Sequence, residues 1–164
     1  MPDKSYNVLF ICTGNSARSI LAEGLMNHLG RGRFKARSAG SQPSGVVNPL
    51  ALQTLEKLRL PTDGFRSKSW EEFARLGAPH LDFVFTVCDT AAGEVCPVWP
   101  GQPMTAHWGV PDPATFEVTA EERAREFMNV AITLKRRMEL MLALPMQRLD
   151  ALSIQREVRA IGRQ

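Results

Sequence analysis

The chain has 164 residues, 44% of them apolar, and a formal charge of +3, which suits one domain over 1–164 with a full core and an anionic ligand. No apolar run reaches the ~18 residues that a membrane span needs, and the opening MPDKSYN does not read as an export signal. A cytoplasmic, reducing setting is therefore expected, in which the three cysteines are reactive or buried thiols rather than a disulfide framework.

In chain order, residues 6–11 form an apolar strand. Residues 17–29 form a helix with Leu21, Leu25 and Leu29 spaced by four. A short strand over 34–38 runs into the loop AGSQPSG. The basic stretch RGRFKAR, 31–37, is read as a turn and the solvent face of that strand rather than a nucleic-acid contact. Asn48 caps the next helix, Pro49 takes its first position, and Leu52, Leu55 and Leu58 follow. Ser69 and Glu72 have the spacing of a capping box for a short helix through Leu76. DFVFTV, 82–87, is a buried strand, 88–103 is a loop, and MTAHW is the last strand. Thr119 and Glu122 make a second capping box. The helix behind it buries Phe127, Val130, Ala131, Leu134, Met138, Met141 and Leu142 on one face. Pro145 breaks that pattern, and a final helix covers about 148–161. The βαβ alternation predicts an α/β domain with a parallel sheet.

The chemistry concentrates in LFICTGNSARSILAEG, 9–24, where an apolar strand stops at Cys12 and Arg18 stands six positions on. In open parallel sheets ligands bind beyond the carboxyl ends of the strands, and Cys12 lies at such an end. The loop Thr13, Gly14, Asn15, Ser16, Ala17 can turn its N–H groups onto an anion. The helix behind it adds the positive end of its dipole, which also favours the nucleophilic thiolate. Arg18 offers a planar, two-pronged donor to a tetrahedral oxyanion. Gly14 and Asn15 both tolerate positive φ. The Ser16 and Ser19 hydroxyls are donors for the thiolate or the loop.

This stretch resembles the oxyanion loop of the low-molecular-weight protein tyrosine phosphatase superfamily, which includes phosphatases and thioredoxin-coupled arsenate reductases. The resemblance runs from Tyr6 to about Leu144. It implies a central parallel four-stranded sheet with helices on both faces, Cys12 as nucleophile and Arg18 as oxyanion clamp. In HWGVPDPA, 107–114, the resemblance assigns the general acid to Asp112, ahead of Pro113 in a loop with five prolines between 97 and 113. His107 and Trp108 are expected to pack that loop rather than to catalyse.

Cys88 and Cys96 separate the members of the superfamily. A phosphatase needs neither, whereas reducing arsenate takes two electrons, which a pair of thiols supplies. The run TVCDTAAGEVCPVWPGQPMTAHWG resembles the redox segment of the arsenate reductases, which implies Cys12, Cys88 and Cys96 as successive members of a disulfide relay. An external reductant, thioredoxin or glutathione with glutaredoxin, then reopens the last disulfide, and no bound cofactor is implied. The single tyrosine, Tyr6, Ala114 and Thr115 after Pro113, and Ile20 where the phosphatases often carry proline all argue against the phosphatase. Ala17 stands where the superfamily often has a second loop cysteine. Some reductases bind potassium near the loop, and Asn15, Glu23 and Ser38 fit part of such a site. The reading is an arsenate reductase, monomeric, without nucleic-acid or membrane partners. The alternatives are a phosphatase and a non-catalytic anion or redox sensor.

Overall fold

A computed structural model describes residues 5–88, 99–113 and 119–164. In chain order the described strands and α-helices are β1 (Tyr6–Cys12), α1 (Arg18–Leu29), β2 (Phe34–Gly40), α2 (Pro49–Lys57), β3 (Phe83–Thr86), β4 (Met104–His107), α3 (Ala120–Leu142) and α4 (Ala151–Gly162). The strands form one sheet in the order β2-β1-β3-β4, parallel throughout. The chain leaves β1 on one side, pairs β2, and returns to the other side of β1 with β3. That reversal opens a crevice beyond the carboxyl end of β1, the place where such sheets take ligands.

Side chains alternate across a strand, yet Val8, Leu9, Phe10 and Ile11 are all wholly buried, so both faces of β1 are covered. On one face Phe10 meets Phe85 with ring centroids 5.7 Å apart. Phe85 stacks on Trp108 at 4.3 Å, and the Trp108 indole donates to the Val158 carbonyl of α4 at 2.8 Å. Leu9, Ile11 and Val84 belong to the other face and are also buried. Helix α3 begins where Thr119 Oγ1 accepts from the Glu122 amide at 3.2 Å. Six of the seven residues predicted for its inner face are buried, while Leu142 is half-buried; Arg137 joins them.

On each edge of the sheet one residue has both backbone groups taken by side chains. On β2, Asn27 Nδ2 donates to the Ala36 carbonyl at 3.0 Å and Asn27 Oδ1 accepts from the Ala36 amide at 2.8 Å. On β4, Gln155 Oε1 accepts from the Thr105 amide at 3.4 Å, and Arg159 Nε donates to the Thr105 carbonyl at 3.0 Å.

Three expectations need correction. The segment after Ser69 is a single 3-10 turn, Trp70–Phe73, not a helix through Leu76, which is fully exposed. Ser69 Oγ accepts from the Glu71 amide, and the Glu72 carboxylate is held by both Arg66 nitrogens at 3.0 and 3.1 Å instead of closing a capping box. The final helix starts later than predicted, because Asp150 accepts from the Ser153 amide at 2.7 Å and caps it. The third concerns Gly14: Asn15 has φ +45°, whereas Gly14 is not among the positive-φ residues. Of the loop expected over 88–103, residues 89–98 lie outside the described residues.

Candidate active site

Cys12 ends β1 and is 3% exposed. The loop leading from it to α1 is packed against the end of β2, where Gly40 pairs with Cys12. A methyl group on Gly40 would overlap the Thr13 carbonyl oxygen. It would also lie 2.9 Å from the Cys12 oxygen and 3.0 Å from the Asn15 nitrogen. Glycine is required there by close approach, not by backbone angle. The loop carbonyls face outward to neighbouring chain: Thr13 accepts from Gln42, Gly14 from Ser44 and Ser16 from Asn48, each at 2.9 Å. Turning the carbonyls outward leaves the amide edge for the cavity. At the start of α1, Ala17 supplies no side-chain cap and the first turn holds no acidic residue, so the helix end keeps its positive character.

Asn15 and Ser19 are wholly buried and connect the loop to the thiol. The Lys68 backbone amide donates to Asn15 Oδ1 at 2.9 Å. An amide N–H can only donate, so this contact fixes which end of the Asn15 side chain is oxygen. Asn15 Nδ2 then donates to Ser19 Oγ at 2.8 Å. With that oxygen accepting, the Ser19 proton is left for Cys12 Sγ, 3.0 Å away. The chain of hydrogen bonds therefore runs one way and ends in a donor for a thiolate.

Arg18 and Asp112 face each other across the opening. Arg18 NH2 lies 3.6 Å from Asp112 Oδ2, and NH1 donates to the Val110 carbonyl at 3.2 Å. Cys12, Gly14, Ser16, Ala17, Arg18, Asn48 and Asp112 together line a cavity of about 120 Å³. Sulfur, guanidinium and carboxylate thus share one small volume. His107 and Trp108 do not line this cavity; His107 Nδ1 lies 2.8 Å from Thr86 Oγ1 and Trp108 is buried. Ala114 and Thr115 lie outside the described residues.

Cys88 follows β3 and is a buried thiol, as Cys12 is. The Val87 amide donates to the Ile11 carbonyl at 2.8 Å, so the two cysteines sit at the ends of adjacent parallel strands. Cys88 Sγ is 3.7 Å from Thr13 Oγ1, within the Cys12 loop itself. Cys96 lies outside the described residues.

The potassium expectation does not fit. Glu23, Ser38 and Asn15 are near one another, and Ser38 Oγ donates to Glu23 Oε1 at 2.5 Å. The cation facing Glu23, however, is the Lys68 ammonium at 3.8 Å, and the amide of Asn15 is committed to Lys68 and Ser19.

Several contributors were not singled out from sequence. Asn48 was read only as a cap, a role it fills by accepting from the Leu50 amide at 2.9 Å, but it also lines the cavity. Its place three residues after the Gln-Pro-Ser-Gly loop gives no sign of that. Gly40 at the end of a strand and Lys68 in a basic surface-like stretch were equally silent. Arg137 is buried and donates to the Gly109 carbonyl at 3.0 Å, steadying the approach to Asp112. A lone arginine at an apolar position of the α3 pattern could have drawn attention to it.

Sheet order, thiol loop and facing carboxylate define a class. The chain belongs to the low molecular weight phosphotyrosine protein phosphatase family, whose model matches residues 7–157. Among curated relatives, it is 35% identical over 124 residues to an arsenate reductase of Shouchella clausii (strain KSM-K16), covering 75% of this chain and 85% of that protein. Among solved structures, it is similar to an arsenate reductase in the phosphate binding state, with a TM-score of 0.69 and 29% identity over 84% of this chain and 97% of that one. It is also similar to a thioredoxin-dependent arsenate reductase of Corynebacterium glutamicum, with a TM-score of 0.56 and 26% identity over 85% of this chain and 65% of that one.

Proposed function

We propose that the protein reduces arsenate to arsenite through Cys12, with Cys88 and Cys96 as a disulfide relay. The observation that carries this reading is a second thiol, Cys88, at the end of the strand next to the nucleophile and 3.7 Å from a hydroxyl of its loop. Hydrolysis of a phosphate ester has no use for that thiol. The arsenate reductases among its relatives support the same reading.

The Cys12 thiolate attacks arsenic while Arg18 and the loop amides hold the oxyanion. Asp112 gives a proton to the departing oxygen, which leaves as water. Cys88 then attacks Cys12 Sγ. The S–As bond breaks with its electron pair going to arsenic, As(V) becomes As(III), and arsenite departs from a Cys12–Cys88 disulfide. Cys96 attacks Cys88, which frees the Cys12 thiolate and leaves Cys88–Cys96 for an external dithiol. Two electrons thus pass from two thiols to arsenic, and the dithiol restores them. Thioredoxin is the reductant we assign, and glutathione with glutaredoxin is the competing donor.

The test is steady-state arsenate reduction with each reductant system in turn, alongside hydrolysis of an aryl phosphate. Arsenite formation with thioredoxin supports the proposal. Hydrolysis of the phosphate without arsenite formation makes the chain a phosphatase, and turnover of neither makes it an anion or redox sensor.

A further inference from the structure

The half-buried Glu23–Lys68 pair takes no part in the chemistry above. Its side chains are only 15% and 9% exposed, and three parts of the fold meet at it. Glu23 comes from α1, Ser38 from β2 donates to its carboxylate, and Lys68 belongs to a strap, residues 66–69. The Lys68 ammonium also donates to the Arg66 carbonyl at 3.1 Å. The strap in turn holds the oxyanion loop at two points. Ser67 Oγ donates to the Gly14 carbonyl at 3.1 Å, and the Lys68 amide donates to Asn15. The Lys68 carbonyl accepts from Gly40 at 2.9 Å, behind the same loop.

We propose that Lys68 is a positioning residue, a tethered cation that ties the 66–69 strap to Glu23 and so keeps Asn15, Ser19 and the Cys12 thiolate in register without a dissociable metal ion. This deepens the proposed function and rests on Cys12 as its nucleophile. Burial opposes the charge on both partners, raising the Glu23 pKa and lowering that of Lys68, while each partner opposes the shift of the other. A charged pair held there against desolvation is costly to break from one side, because the remaining charge is left buried alone. Arg37 adds a weaker attraction to Glu23. Arg66 is engaged with Glu72 on the outer side of the strap.

Truncating Lys68 to alanine leaves a carboxylate, the Ser38 hydroxyl and the Arg66 carbonyl around a cation-sized gap. Four oxygens from three groups, with one negative charge, form a donor set for a small monovalent cation, as carbonyl rings are elsewhere. The variant should therefore acquire a dependence that the natural chain lacks.

The experiment compares wild type, K68A and the double variant E23Q/K68A in choline, potassium and ammonium chloride at equal ionic strength. The readouts are the iodoacetamide alkylation rate of Cys12, followed by peptide mapping, and the thermal midpoint. Wild type should be indifferent to the cation. K68A in choline should alkylate about tenfold more slowly, a middling value for groups coupled through one hydrogen-bond network. Potassium or ammonium should restore most of that rate and raise the midpoint saturably. The double variant, without the carboxylate, should show no cation response. If K68A does not fold in choline, cooperative unfolding regained in potassium supports the proposal, and its absence overturns it. Wild-type alkylation by K68A in choline, a slow rate that no cation restores, or saturable potassium activation of wild type would each overturn it. Arsenate enters none of these readouts, so failure here leaves the proposed reaction standing, and failure to reduce arsenate leaves the cation clamp standing.

Discussion

Replacing Ser19 by alanine removes both the donor at the end of the hydrogen-bond chain and the acceptor of Asn15. The hydroxyl is 3.0 Å from Cys12 Sγ and wholly buried. A hydrogen bond to a charged group contributes about 1.5–3 kcal/mol, and a factor of ten is about 1.4 kcal/mol, so the thiolate population should fall about 12- to 150-fold wherever the thiol form dominates. A more basic thiolate is a better nucleophile, with a Brønsted coefficient of about 0.4–0.5, and this returns roughly half of the logarithmic loss. The net expectation is a fall of about 3- to 12-fold in the rate of Cys12 alkylation, measured below the midpoint of the wild-type pH–rate profile. Asn15 Nδ2 also loses its acceptor. An unpaired buried donor costs about 1–3 kcal/mol, so the thermal midpoint should drop as well. Ser19→Cys, which keeps a weak donor, should fall between the two. Alkylation of Ser19→Ala at the wild-type rate would refute the one-way chain from Lys68 through Asn15 to the sulfur.

Asp112→Asn should slow the first chemical step about 10²–10⁴-fold. Arg18→Lys should lose much of the activity because a point charge cannot replace a two-pronged donor. Single-turnover kinetics separate these effects, and a silent Asp112→Asn would return the Asp-Pro to a structural turn. Gly40→Ala should lower stability by about 1–3 kcal/mol, the usual cost of forcing atoms into filled space, because the backbone of Thr13 has no rotamer to yield; a denaturant titration reads this. In Cys96→Ser, one arsenite per enzyme should be released with a Cys12–Cys88 disulfide trapped, whereas Cys88→Ser should halt the thioredoxin-supported cycle. Multiple turnover in both variants would exclude the relay.

Where a residue's role follows from local pattern, the sequence carried it. The 6–11 run and the leucines of 17–29 placed β1 and α1 within a residue or so, and that junction alone located Cys12 and Arg18. Asn48 with Pro49 opened α2, and the Phe127–Met141 stripe identified the inner face of α3. The misses share a different cause. The carboxylate of Glu72 had a local partner in Ser69 but bonds Arg66 instead, and which of the two wins is decided by how the 66–73 segment lies on the sheet. Gly40 and Lys68 meet the loop from 28 and 56 positions beyond Cys12 in the chain, so nothing in their own neighbourhoods marks them. Potassium was inferred from one side of a site whose other side, an ammonium, arrives from that distant strap.

Asn27 and Gln155 have a consequence for how another protein can reach this one. An open sheet edge invites a visiting chain to add itself as a further strand. Here Asn27 imitates such a strand at Ala36, giving and taking one hydrogen bond as a neighbouring backbone would. Gln155 and Arg159 together do the same at Thr105. A visitor to either flank meets backbone groups already occupied at the middle of the strand and finds no continuous ladder to extend. Under the proposed relay, a protein that donates electrons to this chain is expected to approach end-on, beyond the strand termini, rather than by adding a strand at Ala36 or Thr105. A second copy of the chain pairing at Ala36 or Thr105 would meet the same occupied groups.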